Sequence, residues 1–303
     1  MQAAFLYYCE RKLHSLSQGV MQMTCQWQSF IRLIPHRLRK ETEILGCQEL
    51  LELRLRVGQT VQFVLMRGVA ASNDKVTQED LKFVINTATQ YSPWAAATAS
   101  HGYITAEGGH RIGICGDCVI HNGVAGGIRT PTSLCIRVAR DFPGIAASAS
   151  CKGSVLIIGT PGSGKTTLLR DLIRQRSNAG KGSIAVVDER GELFPCVQGS
   201  SCFVPGPHTD IMTGCSKKQG IEMVLRTMGP SCIAVDEITG EEDAAALLAA
   251  GWSGVDLLAT AHAATVDDLY ARDVYRPLVR RNLFQSLLVM NRDKTWHAER
   301  ICV

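Results

Sequence analysis

The residues whose types and spacing could do chemistry begin with Gly159, Thr160, Pro161, Gly162, Ser163, Gly164, Lys165, Thr166 and Thr167. Gly159, Gly164, Lys165 and Thr166 satisfy G-x-x-x-x-G-K-[ST] between a strand-like run, SVLIIG, and a helix-like one, KTTLLRDLIRQ. That is the pattern of a phosphate-binding loop. Its glycines let backbone N–H groups turn inward around a phosphate, and the new helix points its positive end there. In such a loop Lys165 would bridge the β- and γ-phosphates, and the Thr166 hydroxyl would ligate Mg²⁺. The chemistry this pattern would serve is the binding and hydrolysis of ATP with Mg²⁺.

Three further apolar runs end in chemistry-bearing residues. CIAVDEI supplies Asp236, placed to hold the Mg²⁺ shell through water, and Glu237, placed to polarise the attacking water. IAVVDERGEL supplies Asp188, Glu189, Arg190 and Glu192. Strand C-termini in such sheets converge on one crevice, so these acids belong near the γ-phosphate. Glu189 or Glu192 would orient water and Arg190 would sense phosphate or bridge subunits; a structural ion-pair cluster accounts for them equally well. LLATAHAAT ends in His262, either a sensor of the γ-phosphate or a structural imidazole. Arg226, in GIEMVLRTMG, faces the same crevice or lies on a solvated helix face.

The elements that must position these residues are legible in outline. SVLIIG, SIAVVD, CIAVDE and DLLATAH are short, bare apolar runs separated by helix-compatible stretches, as in a mostly parallel sheet buried on both faces. The preceding half reads differently. SFIRLIPHRLRKETEIL is helix-like with a basic face. LLELRLRV alternates, with Leu51, Leu53, Leu55 and Val57 on one side and Glu52, Arg54 and Arg56 on the other. VTQEDLKFVINTATQYS reads as a helix with Thr77 as N-cap and Asp80 three residues on. Gly108-Gly109 and Asn122-Gly123 are hairpin signals among short strands. The expected order is an extension over 1–23, an α+β domain over 24–140, a linker over 141–153 and an α/β P-loop NTPase domain over 154–303.

Bulk properties agree with two domains in 303 residues. The chain is 46% hydrophobic, which reads as globular, not disordered. A net charge of +4 with only 6% aromatic residues offers no stacking surface for nucleic acid. The first apolar patch is broken by Glu10, Arg11 and Lys12, unlike a secretory leader, and no run approaches the ~20 residues that span a bilayer. A cytoplasmic protein with its 12 cysteines reduced is expected. Cys115-Gly-Asp-Cys118, with His110 and His121 close by, is one C-x-x-C without a second, a weak zinc signal.

Taken jointly, GTPGSGKTTLLRD, VVDERGEL, GIEMVLRTMGPSCIAVDEI and ATAHAATVDDLYAR resemble the family of stage III sporulation protein AA, a relative of the type II and type IV secretion ATPases. LELRLRVGQ, HGYITAEGGHRIGICG and SLCIRVAR extend the resemblance from about residue 30 to the C-terminus. It implies a RecA-like ATPase domain and a homo-oligomer, a hexamer, at the cytoplasmic face of a membrane. The implied partners are membrane proteins of the channel complex between mother cell and forespore in endospore formation. It also implies that the N-terminal domain closes over the nucleotide and offers arginines to it. The matching positions are Arg111 in GGHR and Arg137 and Arg140 in CIRVAR, with Arg54 and Arg56 supporting the sheet. An arginine there offsets charge developing in the transition state; a solvated strand residue is the alternative. Three features depart from the family pattern. Thr239-Gly240 stands where a Gly-Arg pair is usual, no glycine follows His262, and residues 1–23 match nothing in it. Two rival functions keep the same core: a nucleic-acid motor, and a nucleotide-gated adaptor with little hydrolysis.

Overall fold

A computed structural model describes residues 23–89, 102–121, 124–149 and 151–299. The basic helical stretch is two helices, α1 (Trp27–Leu33) and α2 (His36–Glu49). Pro35 lacks an N–H and holds Ile34 extended (φ −86°, ψ 132°), which ends α1. The chain then runs through β1 (Leu50–Arg56), β2 (Thr60–Leu65) and β3 (Gly68–Lys75) into α3 (Gln78–Thr89). Thr77 and Asp80 close the start of α3 reciprocally. The Thr77 N–H donates to the Asp80 carboxylate at 2.7 Å, and the Asp80 N–H donates to Thr77 Oγ1 at 3.3 Å.

β4 (Tyr103–Thr105), β5 (Arg111–His121) and β6 (Val124–Arg137) complete a six-stranded sheet in the order β3-β2-β1-β6-β5-β4, antiparallel throughout. Gly108 and Gly109, both at φ near +80°, make the β4–β5 turn. Asn122-Gly123 lies outside the described residues. One sheet face carries Leu53, Leu55, Phe63, Ile112 and Ile136 against Phe30 and Leu33 of α1 and Leu81 and Val84 of α3. The β1 alternation holds only in its middle. A bulge between Leu50 and Glu52 buries Leu50 completely and leaves Leu51 half-buried, while Val57, past the strand, is 40% exposed. One inserted residue shifts the phase of every side chain before it.

The second half is a seven-stranded sheet flanked by helices. It comprises β7 (Val155–Gly159), β8 (Ile184–Asp188), a ribbon of β9 (Cys196–Val197) and β10 (Ser200–Ser201) set apart from the sheet, and β11 (Thr209–Thr213). β12 (Cys232–Val235), β13 (Asp256–Ala261), β14 (Ser286–Met290) and β15 (Trp296–Glu299) follow. The helices are α4 (Lys165–Asn178), α5 (Lys217–Thr227), α6 (Glu241–Trp252), α7 (Val266–Ala271) and α8 (Arg276–Arg280). The strand order is β11-β8-β12-β13-β7-β14-β15, all parallel except β15. Both faces are buried. Leu156, Ile158, Ile233 and Val235 pack against Ile221 and Val224 of α5 and Leu247 of α6, while Ile157, Val186 and Ala234 pack against Leu168 and Leu172 of α4. This explains the bare apolar runs. Parallel pairing also brings the C-terminal ends of β7, β8, β12 and β13 to one edge.

The stretch over 141–149 is pinned to α4. Asp141 exchanges backbone hydrogen bonds with Thr24, both at 2.9 Å. Gly144 and Ala146 donate their N–H groups to the Asp171 carboxylate at 3.1 and 2.8 Å.

Candidate nucleotide site

β7 ends at Gly159 and α4 starts at Lys165, so the loop between them sits at the shared strand edge. Gly162 and Gly164 take φ +76° and +103°, which other residues adopt only with strain. Pro161 and Gly162 form the exposed rim; Thr160, Thr166 and Thr167 are half-buried and Ser163 and Lys165 are buried. Lys165 Nζ donates to the carbonyls of Gly159 (2.9 Å) and Thr160 (3.1 Å) and lies 3.1 Å from His262 Nδ1. Burial pulls the lysine pKa below its ordinary value, against the charges of Asp236 and Glu237. The Ser163 hydroxyl is buried and has no partner. An orphaned hydroxyl and a buried ammonium held only by carbonyls and an imidazole are costly until an anionic acceptor arrives. The loop's residues therefore fit a phosphate group.

Beside the loop, Thr166 Oγ1 donates to Asp236 Oδ2 at 2.8 Å, and Thr260 Oγ1 donates to Asp236 Oδ1 at 2.7 Å. Burial raises the Asp236 pKa, opposed by those two hydroxyls. A threonine hydroxyl and a carboxylate in contact are the hard oxygen donors that suit Mg²⁺. Glu237 follows with φ +43°, an uncommon conformation for a non-glycine residue. It is held by its N–H on Thr260 Oγ1 (2.8 Å) and by the Ile238 N–H on the Thr260 carbonyl (2.8 Å). Its carboxylate meets His262, Oε1 to Nε2, at 2.8 Å. Thr260 went unnoticed in the sequence reading. The only signal was a hydroxyl within the apolar run LLATAH, and that residue is fully buried.

The acids after β8 line one crevice with Asp236 and Glu237, together with Arg190, Lys217 and Thr239. Asp188 itself turns inward. Its carboxylate accepts the N–H groups of Glu192, Leu193 and Phe194 at 2.8–2.9 Å and staples the loop. Burial raises its pKa, opposed by those bonds. Glu189 ion-pairs with Lys217 at 2.8 Å, a buried lysine that the sequence reading did not single out. Glu192 ion-pairs with Arg111, whose guanidinium also sits 4.6 Å from the Tyr103 ring. Arg111 thus reaches the crevice from the N-terminal sheet.

The other arginines are placed elsewhere. Arg137 is the cross-strand neighbour of Arg111 but pairs with Glu52 at 3.1 Å, with its side chain 62% exposed. Arg54 also pairs with Glu52, and Arg140 donates to the Leu50 carbonyl. Arg226 is exposed on α5 and does not line the crevice. Cys115 and Cys118 are exposed on β5, and no group of three or more metal-ligating side chains occurs among the described residues.

The family model described as sporulation stage III, protein AA, matches residues 25–299. The chain belongs to that family. Within the stage III AA family, the protein of that name from Bacillus subtilis (strain 168) is 34% identical over 257 residues, covering 81% of this chain and 84% of that protein. Among solved structures, the Legionella pneumophila ATPase DotB superposes with a TM-score of 0.54 at 17% identity, covering 89% of this chain and 80% of that one. The pilus retraction motor PilT, solved with bound ADP, gives 0.56 at 15% identity, covering 82% and 76%. These likenesses show that this family member has the RecA-like fold of secretion ATPases.

Proposed function

We propose that this chain binds ATP with Mg²⁺ and hydrolyses it to ADP and phosphate, to drive or gate a membrane-associated complex in sporulation. One observation carries the reading: Lys165 and Thr166 from the start of α4, Asp236 and Glu237 just after β12, and His262 just after β13 form one contact network. The loop amides and Lys165 would hold the phosphates, and Thr166 and Asp236 would hold Mg²⁺. That ion, when bound, supplies positive charge against the phosphate oxygens. Glu237, steadied by His262, accepts a proton from the attacking water. Arg111 stands at the crevice and turns from Glu192 toward developing negative charge.

We propose in addition that the chain assembles into a homo-hexamer on the cytoplasmic face of the membrane, with channel proteins as partners, as the family resemblance implies. No described helix is long and apolar enough to cross a membrane. Light scattering with and without a non-hydrolysable ATP analogue and Mg²⁺ tests assembly. Phosphate release by the Lys165→Ala variant tests the site: turnover should vanish while circular dichroism stays that of the parent. Normal turnover in that variant overturns the assignment. The adaptor reading draws on the pairing of Arg111 with Glu192, which keeps that arginine from the phosphates. A single turnover with no further phosphate release would favour it.

A further inference from the structure

Arg170 lies on α4 one turn beyond Thr166, and none of the roles above uses it. Its side chain is only 6% exposed. A buried guanidinium is tolerated when its donors are met, and an apolar residue of similar size often packs as stably. Here the donors are met by two separate parts of the chain. Nε donates to the Leu193 carbonyl and Nη2 to the Glu192 carbonyl at 2.8 Å. Nη1 donates to the Arg140 carbonyl at 3.3 Å and lies 3.5 Å from Asp141 Oδ1. The Phe203 ring backs the group, with its centroid 4.4 Å from the guanidinium carbon.

The fork therefore joins the cradle helix to the loop after β8 and to the chain leaving the N-terminal sheet. The loop is gripped from two sides. Asp188 takes the N–H groups of Glu192, Leu193 and Phe194, and Arg170 takes the carbonyls of Glu192 and Leu193. With the backbone fixed, the Glu192 side chain is left to face the crevice, where it meets Arg111. We propose that Arg170 is a positioning residue for ATP hydrolysis, which holds Glu192, and through it Arg111, in register with the phosphate cradle. The inference rests on the ATPase reading. A planar fork that spans three carbonyls cannot be replaced by an ammonium, which delivers its bonds from one point.

The test is steady-state ATP turnover of the full chain, with binding of a fluorescent ATP analogue measured alongside. Arg170→Lys should lower kcat about tenfold or more, since small misplacements of catalytic groups are costly. Affinity for the analogue should stay within about threefold, because Lys165 and Thr166 are untouched. In a Glu192→Gln background the same change should cost less than about threefold, which a merely structural role would not produce. Parental kcat in Arg170→Lys, or an equal loss in both backgrounds, overturns the proposal. Should Arg170→Lys not fold, Glu192→Gln alone decides: it leaves every Arg170 bond in place, since these run to backbone carbonyls, and parental kcat there overturns the proposal equally. Amide exchange gives a readout independent of turnover: Glu192 to Phe194 should exchange faster in Arg170→Lys while the amides of Thr160 and of residues 162–166 do not. Turnover surviving in Lys165→Ala would instead defeat the ATPase reading.

Discussion

His262 Nε2 lies 2.8 Å from Glu237 Oε1, while Nδ1 of the same ring lies 3.1 Å from Lys165 Nζ. An ammonium can only donate, so Nδ1 accepts and the proton of a neutral ring sits on Nε2, aimed at Glu237. One imidazole thus links the lysine of the cradle to the Glu237 carboxylate. On the proposed reading, a phosphate that drew Lys165 away would take the donor from Nδ1 and leave the ring held by Glu237 alone.

Glu237→Gln keeps the size of the side chain and removes the base. It should retain ATP affinity while kcat falls about 10²–10⁴-fold, the usual worth of a positioned general base. Equilibrium binding and phosphate release on the same preparation check both halves. Unchanged hydrolysis would move the role to Glu189 or Glu192, which here are held by Lys217 and Arg111.

Arg111→Ala removes the guanidinium that the N-terminal sheet brings to the crevice. An arginine that stabilises transition-state charge is worth about 10³-fold or more in kcat. The ion pair with Glu192 is partly exposed, at 30% and 37%, so its loss should cost little stability, about 1 kcal/mol or less. A large fall in kcat with a nearly unchanged melting temperature is the expected pair of results. The reverse pair would make Arg111 a fastening of the two halves and not a catalytic group.

The cradle was legible in the sequence because its chemistry is contiguous: strand, glycine loop and helix lie within about 25 residues. The strand-end acids were legible because a parallel sheet sends like ends to one edge. What escaped is contact that only the folded register creates. Thr260 reaches Asp236 because β13 lies beside β12, and Lys217, at the start of α5, reaches Glu189 just past β8. The sequence leaves Arg111 as phosphate-facing or solvated and Glu192 as phosphate-facing or part of an ion-pair cluster; that they pair with each other depends on how the two halves sit, which no local pattern encodes. The bulge at Leu50–Glu52 escaped because alternation alone cannot show an inserted residue.

Gly220 tests the packing behind the crevice. It lies in α5, and a Cβ there would overlap Val187 Cγ1 of β8 and come 3.1 Å from Cys215 Sγ. Alanine is the better helix former by about 1 kcal/mol. Overpacking a buried contact costs about 1–3 kcal/mol, and Val187 is β-branched on a central strand and cannot swing away. Gly220→Ala should therefore lower the urea midpoint with an unchanged slope. A raised midpoint would mean that α5 shifts outward freely.

His110 gives the chain a pH dependence apart from the nucleotide site. Its ring is fully buried against Phe30. Nδ1 accepts the Ala139 N–H at 3.1 Å, and Nε2 lies 3.1 Å from the Gln26 carbonyl, to which it donates. Both contacts suit the neutral ring, and a proton on Nδ1 would break the first. Burial pushes the pKa down from 6.5 to about 4. The unfolded chain binds the proton first, so between those values it holds more protons than the folded chain, and stability rises with pH. The contribution is complete above pH 6.5, fades as pH falls and is gone below about 4; its full size is about 3 kcal/mol at 1.36 kcal/mol per unit. His110→Gln should be less stable at neutral pH yet lose less between pH 7 and pH 5 than the parent. Denaturant midpoints for the two chains across that range decide it, and parallel curves would show that the ring titrates alike in both states.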